Sequence, residues 1–314
     1  MLEYLIILII FLYFYIKRLN KACQEKKKIL NILITSDIHL SFENVEKLRK
    51  WAKKNNKKFD LILNPGDFCN LDENQVYKND TGYQALLDRL RTISKNILYI
   101  PGNHDTKMLY DSIPQDLENP DEWEPLPVMV STNSVNNIHD RNIHNKFVQI
   151  HEKNLFVAGF GGSIDAYLYD NKEKVEWPGF PYTDEQYGKG LGHLMEAWDR
   201  IKKNNNDSLI LLTHIGPAWI STTSKNCKPY NDNEKIQSGS ESAYELMRSY
   251  KYQELKKPLL WIHGHTHAGK GLTDFGSIPI LNPGGLCYGQ FSILSLKYTD
   301  DNEWKIENIE FHNI

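Results

Sequence analysis

Apolar and polar positions alternate along this chain in blocks rather than singly. Ile29 to Thr35, Asp60 to Asn64, Ile97 to Ile100, Ser208 to Leu212 and Pro258 to Ile262 are short, mostly apolar runs rich in Ile and Leu. Runs of four to eight such residues, closed by turn signals, predict strands buried on both faces. Between the first three runs the apolar period changes to that of a helix. Val45, Leu48 and Ala52 make one apolar face behind a candidate N-cap at Ser41, and Tyr83, Leu86, Leu87 and Leu90 make another. Strand and helix in alternation predict right-handed βαβ units, with ligands gathering beyond the carboxyl ends of the strands.

Past Thr106 the pattern loosens. Thr106 to Asn145 is rich in Asn, Asp and Pro and reads as surface loops. Lys146 to Gln149 and Leu155 to Phe160 read as a hairpin turning at Glu152-Lys153-Asn154. Gly161-Gly162-Ser163 opens a long insert holding Trp177, Phe180 and Tyr182, which either walls a site or packs onto the domain. Leu194, Ala197, Trp198 and Ile201 predict a helix, as does Ser240 to Ser249, and late strands are expected at Ile278 to Leu281 and Phe291 to Leu296.

Leu2 to Ile16 is apolar apart from Glu3, but shorter than the roughly 20 residues of a full helical span. Lys17, Arg18, Lys21, Lys26, Lys27 and Lys28 follow it, the reverse of the order in a cleaved signal peptide. Residues 1–28 are therefore expected to be a membrane anchor, a short N-terminal hydrophobic helix with a basic flank, and 29–314 the globular domain. A cleaved signal and a buried helix are the alternatives. The basic flank places the domain on the cytosolic side. Asn79-Asp80-Thr81 and Asn206-Asp207-Ser208 match the glycosylation signal and pull the other way, toward secretion.

Composition adds mainly exclusions. With 314 residues, 40% hydrophobic, 25% charged and a net charge of −3, the chain can bury a large core and shows no basic stripe. Nucleic acid as an obligatory partner is disfavoured. Cys23, Cys69, Cys227 and Cys287 form no CxxC pair, which excludes a disulfide framework and a cysteine zinc site. Cys69, just past Gly66-Asp67, and Cys287, just past Gly284-Gly285, are placed by sequence near the candidate chemistry and are read as structural thiols.

The chemistry lies in what closes each apolar run. Asp37 and His39, Asp67, Asn103 and His104, His214, and His265 and His267 stand at five strand ends. Singly, each is an ordinary turn residue or a solvated histidine; five coincidences at five strand ends are not. Oxygen and imidazole donors without cysteine suit Mn²⁺, Fe or Zn²⁺. Seven donors are too many for one such ion and suit two, with one carboxylate as bridge. A pair of ions about 3.5–4 Å apart clamps an in-line phosphoryl displacement.

As an ordered set, Asp-x-His, Gly-Asp, Gly-Asn-His-Asp, a strand-end Thr-His and Gly-His-x-His resemble the calcineurin-like metallophosphoesterase superfamily from about Ile29 to Leu296. Gly159 to Ser163, Gly239-Ser240 and Asn282-Pro283-Gly284 are more faintly similar to its Icc-related subgroup. The resemblance implies a four-layer α/β/β/α sandwich and a hydrolase of phosphoesters that uses a metal-bridging hydroxide. It assigns Asp37, His39, Asp67 and His267 to one metal, and Asp67, Asn103, His214 and His265 to the other. His104 becomes the residue at the leaving oxygen, oriented by Asp105. The phosphate-holding arginine that phosphoprotein phosphatases carry after Gly-Asp is missing from Phe68-Cys69-Asn70-Leu71-Asp72. A phosphodiester or small phosphoester is thus expected, with a protein phosphatase or a non-catalytic scaffold as alternatives.

Overall fold

The computed structural model describes residues 29–70, 79–106, 109–110, 129–132, 141–175, 177–202, 204–225, 235–249 and 251–314, together with Tyr13 and Tyr15. The anchor expected at Leu2 to Ile16 lies outside this range, apart from those two tyrosines. Among the described residues, no helix is long and apolar enough to cross a membrane.

The first βαβ units form as expected. Strand β1 (Ile29–Ile34), helix α1 (Phe42–Lys54), β2 (Leu61–Asn64), α2 (Asn79–Arg91) and β3 (Ile97–Tyr99) follow in order, and β1, β2 and β3 pair in parallel. Ser41 precedes α1, but its side chain makes no capping hydrogen bond. Its N–H instead donates to the Ile38 carbonyl, so the entry to α1 is held by backbone.

The stretch expected to be loops holds two strands, β4 (Met129–Thr132) and β5 (Arg141–Asn142). β5 adds to β3 through backbone alone, and its two polar residues carry no hydrophobic period to read. β4 is four residues long and lies parallel to β6 (Lys146–His151), which forms the expected hairpin with β7 (Leu155–Phe160). The insert supplies β8 (Tyr167–Leu168), and α3 (Asp184–Ile201) begins ten residues before Leu194. A Thr183–Gln186 capping box starts it; Gly188, Gly190 and Gly192 hide that half from a propensity reading.

Then come β9 (Ser208–Thr213), β10 (Thr223–Lys225), β11 (Lys235–Gln237), α4 (Glu241–Met247), a π-turn at Lys251–Leu255, β12 (Leu260–Ile262), β13 (Gly271–Phe275), β14 (Ile278–Asn282), β15 (Gln290–Tyr298) and β16 (Trp304–Asn313). No apolar run announces β13 or β16. Both are mostly exposed edge strands, so backbone pairing rather than a buried face makes them.

Two large mixed sheets result, ordered β16-β15-β1-β2-β3-β5 and β13-β14-β12-β9-β7-β6-β4, beside a small β10-β11-β8 sheet. Ile32, Ile34, Leu61, Leu63 and Leu98 of the first large sheet meet Val157, Ile210, Leu212, Ile262 and Leu281 of the second. Alternate residues face outward. Leu33, Ile62 and Ile97 pack under Val45, Leu48, Leu86, Leu87 and Leu90 of α1 and α2. Leu209, Leu211, Trp261 and Ile280 pack under Leu191, Leu194, Met195 and Trp198 of α3 and Met247 of α4. The central strands are covered on both faces, which is why their sequences are continuously apolar. The layers run α/β/β/α, as the resemblance implied.

Candidate dinuclear metal centre

The central strands of both sheets present their carboxyl ends to one place. β1 delivers Asp37 and His39, β2 delivers Asp67, and the segment after β3 delivers Asn103 and His104. β9 leads to His214, and β12 leads to His265 and His267. All seven candidate donors and His104 are brought together.

The approach is closer than side chains other than hydrogen would allow. A Cβ on Gly102 would stand 2.1 Å from an Asp67 carboxylate oxygen and 2.5 Å from the His214 ring. One on Gly264 would stand 1.9 Å from Ser36 Oγ and 2.6 Å from Asp37 Oδ2. These glycines let backbone pass where the two sheets' loops meet.

The Asp67 oxygens divide their work. Oδ1 accepts the His104 backbone N–H at 2.8 Å. Oδ2 lies 3.3 Å from His214 Nε2 and 3.9 Å from His39 Nε2, facing both histidines. Asp37 Oδ1 is 3.1 Å from His267 Nε2, and both Asp37 oxygens accept the His265 N–H. His39 and His267 point their Nε2 atoms at each other, 3.4 Å apart.

Outer partners fix the rings. His214 Nδ1 donates to the Pro65 carbonyl at 2.7 Å and His39 Nδ1 to the Cys69 carbonyl at 3.1 Å. His214 Nε2 is thereby turned toward Asn103 Oδ1 at 3.0 Å and Asp67 Oδ2. His265 Nε2 is buried without a hydrogen-bond partner. Facing lone pairs and an orphaned buried nitrogen ask for a cation between them, and oxygen and imidazole donors fit a divalent pair. Donor atoms of Asp37, His39 and Asp67 lie within 4.8 Å of one another, as do those of Asp67, His214 and His265. Asp67 is common to both groups.

The electrostatics agree. Burial raises the pKa of Asp37, yet the adjoining His267 brings it down to about 2. Asp67 is likewise held well below the usual carboxylate range against its burial, chiefly by His214. Burial lowers the pKa of His214, but the Asp67 carboxylate more than offsets this and carries it up to about 9. Burial keeps His265 far below the usual imidazole value, so its nitrogen stays a lone-pair donor.

Asp105 does not orient His104. Its carboxylate accepts the backbone N–H groups of Asp67 and Gly102 through Oδ2 and of Cys69 through Oδ1, at 2.8–3.0 Å. Burial and the Asp67 charge push its pKa up to about 7, and the Gly102 and Cys69 amides pull it back. It braces the Asp67 loop, while His104 Nδ1 is buried without a partner and the ring stands edge-on to His39, 5.0 Å away.

Three neighbours carried no signal strong enough to place them. Trp177 from the insert lies 5.3 Å from the His265 ring, centroid to centroid. Tyr288, 66% exposed, stands edge-on to His267 at 5.3 Å. Cys287 joins His39 and His267 in a third group of donor atoms within 4.8 Å of one another. Phe180 and Tyr182 pack instead with Tyr110, His144 and Phe160 behind the site.

A four-layer α/β/β/α fold with carboxylate and imidazole donors converging at its strand ends defines a metal-dependent class of phosphoesterase. The calcineurin-like phosphoesterase model matches residues 30–269, well over half of the chain, and the protein belongs to that family. Solved structures are similar at low identity. TT1561 of Thermus thermophilus is 21% identical over 91% of this chain and 99% of its own, with a TM-score of 0.50. A dimetal phosphatase from Danio rerio is 11% identical over 90% and 98%, TM-score 0.48. An archaeal phosphodiesterase is 14% identical over 88% and 98%, TM-score 0.37. No curated protein sequence matches the chain.

Proposed function

We propose that this chain is a dinuclear metal-dependent hydrolase of phosphodiesters or small phosphoesters. The observation that carries the reading is the Asp67 Oδ2 position, shared between His214 on one side and His39 on the other. Asp37, His39, Asp67 and His267 would hold one divalent ion, and Asp67, Asn103, His214 and His265 the second. Bound there, Mn²⁺, Fe or Zn²⁺ supplies positive charge for the phosphoryl oxygens and acidity for a water. The protein's own part is orientation: the Pro65 and Cys69 carbonyls set the tautomers of His214 and His39. His104, free at Nδ1 and edge-on to His39, is the group to hold or protonate the leaving oxygen.

The absence of an arginine after Asp67 supports a diester or small ester over a phosphoprotein. Metal content by elemental analysis, with turnover of bis-nitrophenyl phosphate, nitrophenyl phosphate and a phosphoserine peptide in Mn²⁺, tests both parts. About two ions per chain and a preference for the diester or the small monoester are expected. Clear preference for the peptide overturns the substrate class, and absence of metal and of activity overturns the enzyme reading in favour of a scaffold.

We further propose that residues 1–28 anchor the 29–314 domain to a membrane on its cytosolic side, supported by the charge order around Leu2 to Ile16. Protease treatment of intact membranes from cells expressing the full chain should digest the domain. Protection, or a mass shift on endoglycosidase treatment, would place it in the lumen.

A further inference from the structure

We propose that Cys287 is an additional ligand, as thiolate, to the ion held by Asp37, His39 and His267, and that it biases this position toward a thiophilic metal such as Zn²⁺ or Fe. The inference rests on the dinuclear reading and adds a donor that neither the motif order nor the composition indicated.

Cys287 Sγ and one nitrogen each of His39 and His267 lie within 4.8 Å of one another. Two ligands on one zinc, with bonds of about 2.1 Å to nitrogen and 2.3 Å to sulfur, stand at most about 4.4 Å apart. The side chains thus need to settle by only a few tenths of an ångström. A Cβ on Gly285 would sit 3.0 Å from the sulfur and 3.4 Å from His267 Cδ2, and the glycine leaves that gap open.

The turn that carries the thiol is tied to the segment that carries Asp37. Cys287 N–H donates to the Asp37 carbonyl at 3.0 Å, and Leu286 N–H to the Ser36 carbonyl at 2.8 Å. From α1, Asn44 Nδ2 donates to the carbonyls of Leu286 and Cys287 at 2.9 and 2.8 Å. Gly289, at φ 76°, closes the turn in a conformation that favours glycine. The sulfur is thereby held in place relative to the same aspartate, as a ligand must be. Cys69 gives the contrast, since it is buried in the apolar cluster with Leu48, Phe68 and Leu87.

Coordination breaks the S–H bond, forms a sulfur–metal bond and releases the proton to solvent, with no change of oxidation state. Thiolate donors favour Zn²⁺ and Fe over Mn²⁺. The metal alone is therefore a sufficient probe. The full chain loaded with Co²⁺ should show a near-ultraviolet sulfur-to-cobalt charge-transfer band. Cys287→Ser should abolish the band while two cobalt ions remain at saturation, and Cys69→Ser should keep it. Zinc affinity should fall at least about tenfold in Cys287→Ser, with little change for Mn²⁺. If Cys287→Ser does not fold, a chain whose other three cysteines are serine must still show the band. Cobalt bound without a band, or a band that survives in Cys287→Ser, overturns the proposal and leaves the dinuclear reading intact. A chain that binds no cobalt, zinc or manganese overturns both.

Discussion

The two large sheets supply the two halves of the site by different means. On the side of β1, β2 and β3 three of the four candidate donors sit on left-handed backbone: Asp37, His39 and Asp67 have φ of 51°, 48° and 57°, Leu40 follows at 54°, and Asn103 is the exception. Such residues cost of order 1–3 kcal/mol each and persist only where their surroundings over-determine them. Here the loops after β1 and β2 lock each other. Asp37 N–H donates to Gly66, the N–H groups of Ile38 and His39 to Asp67, and that of Leu40 to Phe68. Asp105 then binds the Asp67 loop from below.

On the β9 and β12 side only His265 among the donors is left-handed, at φ 62°. Backbone contributes there too, through the Gly264 N–H to the His214 carbonyl at 3.0 Å, and side-chain hydrogen bonds add to it. Trp261 Nε1 donates to Thr213 Oγ1 at 2.6 Å, Ser238 Oγ and Thr266 Oγ1 meet at 2.7 Å, and Ser221 Oγ meets His263 Nε2 at 2.7 Å. Carboxylates that must face inward at close quarters need a reversed chain and a stiff brace. Of the candidate imidazole donors, His214 and His267 stand on ordinary backbone, while His39 and His265 share the reversed form.

That contrast can be broken most severely at its shared member. Asp67→Asn should lose both ions together, with a drop in metal affinity beyond the roughly 10–100-fold typical of outer partners and near-complete loss of activity, read by elemental analysis beside turnover. Retention of one ion at wild-type affinity would show that Asp67 does not join the halves. His104→Ala should keep both ions and lose about 10²–10⁴ in turnover, because its side chain stands beside the donors rather than among them. Stripped metals in this variant would move His104 into the ligand set.

The brace on the carboxylate side separates from the chemistry. In Asp105→Asn an amide group faces backbone N–H donors, so unfolding stability should fall by about 1–3 kcal/mol, read from a denaturant midpoint. Metal affinity should fall with it, since Asp67 loses its support. Unchanged stability would remove the claim that this loop is held under strain. The matching change on the imidazole side, Ser221→Ala, removes one hydrogen bond to His263 and should cost about 0.5–1.5 kcal/mol with both ions retained. A larger effect than that of Asp105→Asn would reverse the comparison.

The residues that read clearly in the sequence are those whose local pattern reports their burial. Ile29 to Ile34, Leu61 to Asn64 and Ser208 to Thr213 are apolar because sheet and helix cover both faces, and each ends in a donor. The candidate donors and His104, which the structure brings together, could be picked out from order alone, since a polar residue of metal-binding type closing a buried strand is rare and five such closures are rarer. Edge strands were not legible. β13 and β16 bury little, and β5 carries two polar residues, so no periodicity marks them.

Asp105 shows where residue type misleads. Next to His104 in sequence it invites a dyad, yet its carboxylate turns to the amides of Asp67 and Cys69 in another turn and of Gly102 in its own. Cys287 and Trp177 show the converse, since their neighbours in sequence left open whether either reaches the site, and each meets a histidine far away in the chain.

By itself, then, the amino-acid order determined the buried strands, the alternation with helices and the set of donors at strand ends. Those follow from short-range rules: side-chain period, turn chemistry and the cost of leaving apolar surface in water. Only the tertiary structure decided that β15 pairs antiparallel beside β1, that Asp105 braces rather than relays, and that Cys287 stands beside His39 and His267. Such choices depend on backbone pairing and on contacts between residues as distant in the chain as His39 and Cys287, and no local pattern encodes a partner at that separation.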